Sequence, residues 1–249
     1  MKPITVPYTV LAVESSATPA SCALLRVEES GCTLLCEAAV NTKLTHSQTL
    51  LPMITDMLKN AGLAVSDVDA LAIAHGPGSF TGVRIGVAAV KGLAFAEDLP
   101  CVGVSTLEAM AMRFNGVPYT GRILTAMDAR CNQVYTALFS CENGVVARLT
   151  PDEALPIAEL GERLRRDPAP TVVMGDGAVL CYNALRDTVP QLSLAPVSLR
   201  LQHAVGVASA AVFAIEAGQA VSGDTLLPVY LRLPQAEREL RLRQNKEVQ

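Results

Sequence analysis

The stretch Ala70-Leu71-Ala72-Ile73-Ala74-His75-Gly76-Pro77-Gly78-Ser79-Phe80-Thr81-Gly82-Val83-Arg84-Ile85-Gly86 decides how this chain is read. Five small or apolar residues without polar alternation predict a strand buried on both faces. The glycines and Pro77 end it. A helix is then expected from about Ser79 to Ala96. A strand that enters a glycine-rich turn and then a helix leaves backbone N–H groups pointing one way, which suits an anion. The same turn also lets a helix approach the sheet closely, and spacing alone slightly favours that plainer use. The anion-loop candidates are Gly76, Gly78 and Ser79, with Glu14 and Ser15 at the end of the first strand. There is no G-x-x-x-x-G-K-[ST], so the turn is not a P-loop.

Outward from this stretch the elements fall into an order. Cys101–Val104 reads as the next strand, and Ser105-Thr106-Leu107-Glu108 as a capping box that opens a helix. Upstream, Tyr8–Val13, Ser21–Val27 and Thr33–Val40 are strand-like runs, the last two joined at Glu29-Ser30-Gly31. Thr45-His46-Ser47-Gln48 fits another capping box, after which Leu50, Ile54, Met57, Leu58 and Ala61 follow helical spacing. Pro52, one turn in, is expected to bend that helix. The order β-β-β-α-β-α-β-α is that of the repeating lobe of the actin, hexokinase and acetate-kinase architecture. Asn115–Gly121 reads as the link to a second lobe. Strands are expected there at Arg122–Met127, Gln133–Phe139, Val145–Leu149 and Thr171–Met174, with helices near Ile157–Arg166 and Gln202–Ala217.

Composition narrows the function. The 249 residues are 50% apolar and 18% charged, enough for a substantial core. A net charge of −4 does not advertise a stand-alone nucleic-acid binder. Seven scattered cysteines with no C-x-x-C pair read as reduced thiols of a cytoplasmic protein. Neither a signal peptide at Met1–Pro7 nor a membrane span is expected. The charged tail from Gln235 to Lys246, with Arg238, Arg241 and Arg243, reads as a solvated helix face, the alternative being contact with RNA phosphate.

Three groups of residues are weighed for chemistry. His46, His75 and His203 are too far apart in sequence to place two imidazoles on one helix face, so each reads as a cap, turn or surface residue. Asp128 and Arg130 follow a strand end and read equally as a site pair or as a structural ion pair. On the Ser79–Ala96 helix, Val83, Val87, Val90 and Ala94 form one apolar stripe, and Gly82, Gly86, Ala89, Leu93 and Ala96 a second. A helix apolar nearly all round must be covered on more than one side. The second stripe therefore either meets the neighbouring helix within the chain or stays exposed as a binding patch, where its small residues allow close approach and Met53 and Met57 could supply adaptable contacts.

The string from Gly76 to Gly86, continuing to Ala89-Val90-Lys91-Gly92-Leu93-Ala94, closely resembles the TsaB family. Leu11–Ser16, His46–Ile54, Val104–Ala109, Met127–Arg130, Gly175–Ala178 and Pro228-Val229-Tyr230-Leu231-Arg232 fit it too. The resemblance implies a two-lobed α/β protein of the actin/sugar-kinase-like (ASKHA) fold, each lobe a mixed sheet with helices. The lobes are expected at 1–113 and 114–249, with the last helix returning to the first lobe. It also implies a non-catalytic partner of TsaD, paired with it through the two helices above and acting with the ATPase TsaE. The reaction implied is threonylcarbamoyl transfer to adenosine of tRNA. No cofactor of its own is implied: ATP or ADP would sit at the complex interface, and tRNA would be reached only through the complex. Monomer and homodimer stay open for the free chain. TsaB sequences usually carry Asp where this chain has Glu14. The following hairpin, Ser15–Ala20, lacks glycine and contains Pro19, which removes an N–H donor; it reads as a degenerate nucleotide loop. The alternative is a stand-alone ATP-dependent phosphotransferase or ATPase using Glu14 and the glycine segment. A peptidase, a label once attached to relatives, is a third and weaker reading.

Overall fold

The computed structural model describes residues 4–42 and 44–232. The tail from Gln235 to Lys246, weighed above for RNA contact, lies outside them. The first lobe opens with β1 (Tyr8–Glu14), β2 (Ala20–Glu28) and β3 (Gly31–Val40), an antiparallel set. Helix α1 (His46–Asn60), β4 (Ala70–Ala74), α2 (Phe80–Glu97), β5 (Pro100–Val104) and α3 (Thr106–Ala111) follow. Strand β1 pairs β4 in parallel, and β4 pairs β5 in parallel.

The second sheet repeats this plan. Strands β6 (Gly121–Asp128), β7 (Gln133–Glu142) and β8 (Val145–Arg148) are antiparallel. Then come β9 (Glu153–Pro156), α4 (Ile157–Arg165), β10 (Thr171–Met174), α5 (Ala178–Leu185) and β11 (Leu192–Leu194). Strand β10 runs parallel to both β6 and β11. The spatial orders are β5-β4-β1-β2-β3 and β11-β10-β6-β7-β8, one topology used twice. This is the two-lobed actin/sugar-kinase-like fold.

After α6 (Val197–Arg200) the chain returns to the first sheet. Helix α7 (Ala204–Glu216) lies on β1, β2, β4 and β5, and β12 (Val221–Ser222) pairs β5. The first sheet is thus covered by α1 and α2 on one face and α7 on the other, which is why every residue of β1 and β4 is buried. Helix α3 packs on the second sheet and against α7. The α3–α7 contact is so close that a Cβ on Gly206 would strike the Ala109 carbonyl.

Several local expectations change. Helix α1 begins with Gln48 Oε1 accepting from the Thr45 N–H at 3.3 Å, as a capping box requires, and it continues through Pro52. The second box is only half formed. Ser105 Oγ accepts from the Glu108 N–H at 3.2 Å, but the Glu108 carboxylate turns away to Arg148 at 3.0 Å. An ion pair with the second lobe has replaced the local bond.

Candidate functional site

The glycine-rich segment is a seat for the chain's own first hairpin. Ser79 caps α2 by accepting from the Gly82 N–H at 3.3 Å. Its own N–H donates to the Ser16 carbonyl at 2.6 Å. A Cβ on Gly78 would lie 2.5 Å from that same carbonyl oxygen, and one on Gly82 would strike the Ser15 carbonyl. Ser15 Oγ donates to the Gly82 carbonyl at 2.9 Å and occupies the space a Cβ on Gly86 would need. His46 Nε2 lies 2.7 Å from the Ala17 carbonyl. The glycines are therefore small because the β1–β2 turn lies against them. The close approach that the plainer reading expects is present at Gly78, Gly82 and Gly86, and Gly78 and Ser79 also line the cleft between the lobes. Gly76 serves a different neighbour: at φ +126° it makes room for the Val229 carbonyl.

Glu14 ends β1 inside this packing and is fully buried. Its Oε1 accepts from the Ser16 N–H at 2.6 Å, while Oε2 has no partner. Burial pushes its pKa up to about 7, with the nearby Asp176 charge adding to the effect and bonds from Ser16 opposing it. Asp176, in the turn after β10, is also raised by burial, against a 2.7 Å bond from Gln202 Nε2.

A cleft of about 730 Å³ separates the lobes. Ser16, His46 and Ser79 line it from the first lobe, and Asp128, Arg130 and Asp176 from the second. Asp128 and Asp176 put carboxyl groups in its lining, and Arg130 and Arg232 put guanidinium groups there. Asp128 and Arg130 are mainly partners of each other: Oδ1 accepts from the Arg130 N–H at 2.8 Å and Oδ2 lies 3.7 Å from the guanidinium. Among the described residues no three His, Cys, Asp or Glu side chains group as a metal-binding set. His75 and His203 are a turn and a cap: His75 Nδ1 sits 3.2 Å from the Leu227 carbonyl, and His203 Nδ1 accepts from the Val205 N–H at 3.3 Å.

The outward face of α2 is rotated relative to the stripe read from the sequence. Met57, Gly82 and Gly86 are buried, Met57 in the core beneath α1 and the glycines against Ser15. They present little surface on the outward face of the two helices. The outward stripe of α2 is Ala88, Gly92, Phe95 and Ala96, with Ala89 and Leu93 half-buried at its edge. Phe95 is 87% exposed. On α1, Leu51 and Pro52 are exposed and Met53 half-buried. Phe95 escaped the sequence reading because it lies between Ala94 and Ala96, off both assigned stripes.

Comparison with known proteins places this architecture among relatives. Residues 40–167 match the family model of TsaD, tRNA N6-adenosine threonylcarbamoyltransferase. A Bacillus subtilis protein named tRNA threonylcarbamoyladenosine biosynthesis protein TsaB is 33% identical over 229 residues, 92% of this chain and 96% of that one. The Escherichia coli protein of the same name is 36% identical over 193 residues, 75% of this chain and 80% of its own length. Among solved structures, YeaZ from Pseudomonas aeruginosa superposes with a TM-score of 0.68 at 33% identity, covering 90% of this chain and all of that one.

Proposed function

The chain belongs to the TsaB family, and from that premise we propose that it is the accessory, non-catalytic subunit of an assembly that forms threonylcarbamoyladenosine on tRNA. In this reading TsaD is its partner, TsaE acts with the pair, and ATP or ADP belongs to the complex and not to this chain alone. The observation that carries it is the Ser16–Ser79 closure. A hairpin that holds phosphates needs close backbone approach and free N–H donors. Here the Ser79 N–H is taken by the Ser16 carbonyl, and Gly78, Gly82 and Gly86 are packed against Ser15 and Ser16, which leaves fewer donors for a phosphate.

The outward face of α1 and α2 supports the partner. Small residues at Ala88 and Gly92 let another helix approach, and exposed Phe95 offers a large apolar anchor. The TsaD match covers α1 and α2, so the catalytic relative carries counterparts of the same helices and can present a matching face. We infer a cytoplasmic setting from the reduced-thiol reading of the cysteines; no helix among the described residues is long and apolar enough to cross a membrane. Titration calorimetry tests the assignment. The isolated chain gives no saturable heat with ATP, whereas TsaD gives a one-to-one complex. Tight ATP binding by the chain alone, with no TsaD complex, would return the phosphotransferase reading.

A further inference from the structure

The motif Pro228-Val229-Tyr230-Leu231-Arg232 has no part in the reading above, yet the structure ties it down at both ends. Lys91 Nζ on α2 donates to the Asp224 and Leu226 carbonyls at 3.2 and 3.4 Å. The Val229 N–H donates to the His75 carbonyl at 2.8 Å. Arg84 Nε donates to the Tyr230 hydroxyl at 2.9 Å, and its guanidinium lies 4.0 Å from the centre of the Phe80 ring. The Phe80 and Tyr230 rings are 5.0 Å apart. All these anchors belong to the first lobe.

The next anchor belongs to the second. Arg232 Nη1 donates to the Ala129 carbonyl at 2.8 Å, at the head of the β6–β7 turn. Val229 to Arg232 line the cleft at this mouth. The turn they reach is an unusual one. Arg130, Cys131 and Asn132 hold φ of 66°, 54° and 55° in succession, and none is glycine. Such a run persists only where surrounding contacts hold it.

We propose that Leu226–Arg232 is a latch. It is rooted on α2 and the glycine-rich segment, and its grip on Ala129 fixes the second lobe across the cleft mouth and sets how wide the cleft stands. The α3–α7 contact lies where the two lobes are joined, so a bond across the cleft mouth has leverage on the lobe angle. Because its roots are on α2, the latch also links the outward helix face to the cleft. This follows from the contacts alone and stands whether or not the chain is an accessory subunit.

Spin labels test it in the full-length protein. One goes on exposed Cys32 of the first lobe and one on Cys introduced at exposed Asp187 of the second, with Cys36 and Cys131 replaced by Ser. The expected result is a single narrow interlobe distance in the parent. In Arg232→Ala it shifts and broadens, and Arg232→Lys, which can still donate to Ala129, keeps the parent distribution. The melting temperature of Arg232→Ala should stay at the parent value, separating loss of the latch from unfolding. Distributions for Arg232→Ala that superimpose on the parent overturn the proposal. Should that variant not fold, Arg84→Met releases the strap at Tyr230, and an unchanged distribution there overturns it equally.

Discussion

The backbone nitrogen of Ser79 lies 2.6 Å from the carbonyl oxygen of Ser16, joining residues 63 positions apart where the β1–β2 turn meets the glycine-rich segment. The glycines around that bond are packing positions, and the first prediction tests them as such. Gly82→Ala puts a methyl group into the Ser15 carbonyl. Overpacking against backbone costs about 1–3 kcal/mol. Gly92→Ala meets nothing, lies on an exposed helical surface, and gains up to about 1 kcal/mol from helix propensity. Urea unfolding of the two variants should move the midpoint in opposite directions.

Glu14 gives the protein a pH dependence of known sign. Its folded pKa of about 7 stands above the ordinary 4.5, so the folded state holds the proton more tightly than the unfolded state. The stability it contributes is full below about pH 4.5, falls as pH rises through 7, and is then gone. Glu14→Gln keeps an acceptor for the Ser16 N–H and cannot ionise. Relative to wild type, the variant should gain up to about 3 kcal/mol between pH 4.5 and 8. Denaturant unfolding across that range reads it; a constant difference between the two proteins would show that Glu14 does not titrate there.

Exposed and buried apolar residues of α1 and α2 should separate cleanly. Phe95→Ala leaves the melting curve in place and weakens TsaD pairing by about 2 kcal/mol, roughly thirtyfold. Met57→Ala, 2% exposed, costs about 2–5 kcal/mol of stability whether or not a partner is present. Sedimentation with TsaD, together with thermal melts, distinguishes the two. Normal pairing by Phe95→Ala would move the partner surface elsewhere.

The turn after β6 holds a smaller reserve. Cys131 is exposed with φ 54°, where glycine is free of the steric cost. Cys131→Gly should be neutral to stabilising, by up to about 1 kcal/mol, despite the greater freedom of glycine in the unfolded chain. A clear loss on thermal melting would mean that the side chain supports the turn.

Much of this architecture is legible in the sequence because the signals are local. The unbroken apolar run Ala70–Ala74 is a fully buried strand, and Thr45 with Gln48 opens α1. The three-residue β11 and the nearly uniform apolar α5 carry too little periodicity to be read. The site was legible only in part. Helical spacing shows that α2 has two apolar faces but not which of them is already filled. Ser15, which fills the Gly82 and Gly86 face, comes from 67 residues upstream. The Arg84–Tyr230 bond spans 146 positions, and no local pattern announces it. Glu108 looked like the second half of a capping box until Arg148, 40 residues on, claimed its carboxylate.

The assignment as an accessory subunit is tested most directly by measuring threonylcarbamoyladenosine formed on tRNA from threonylcarbamoyl-adenylate. The comparison is between this chain alone, TsaD with TsaE, and all three together, with Ala88→Glu as a fourth arm that puts a charge on the outward face of α2. The expected result is no product from the chain alone, robust product from the three together, and loss of that stimulation with Ala88→Glu at an unchanged melting temperature. Product formed by the purified chain alone, or full product from TsaD and TsaE without it, would contradict the account.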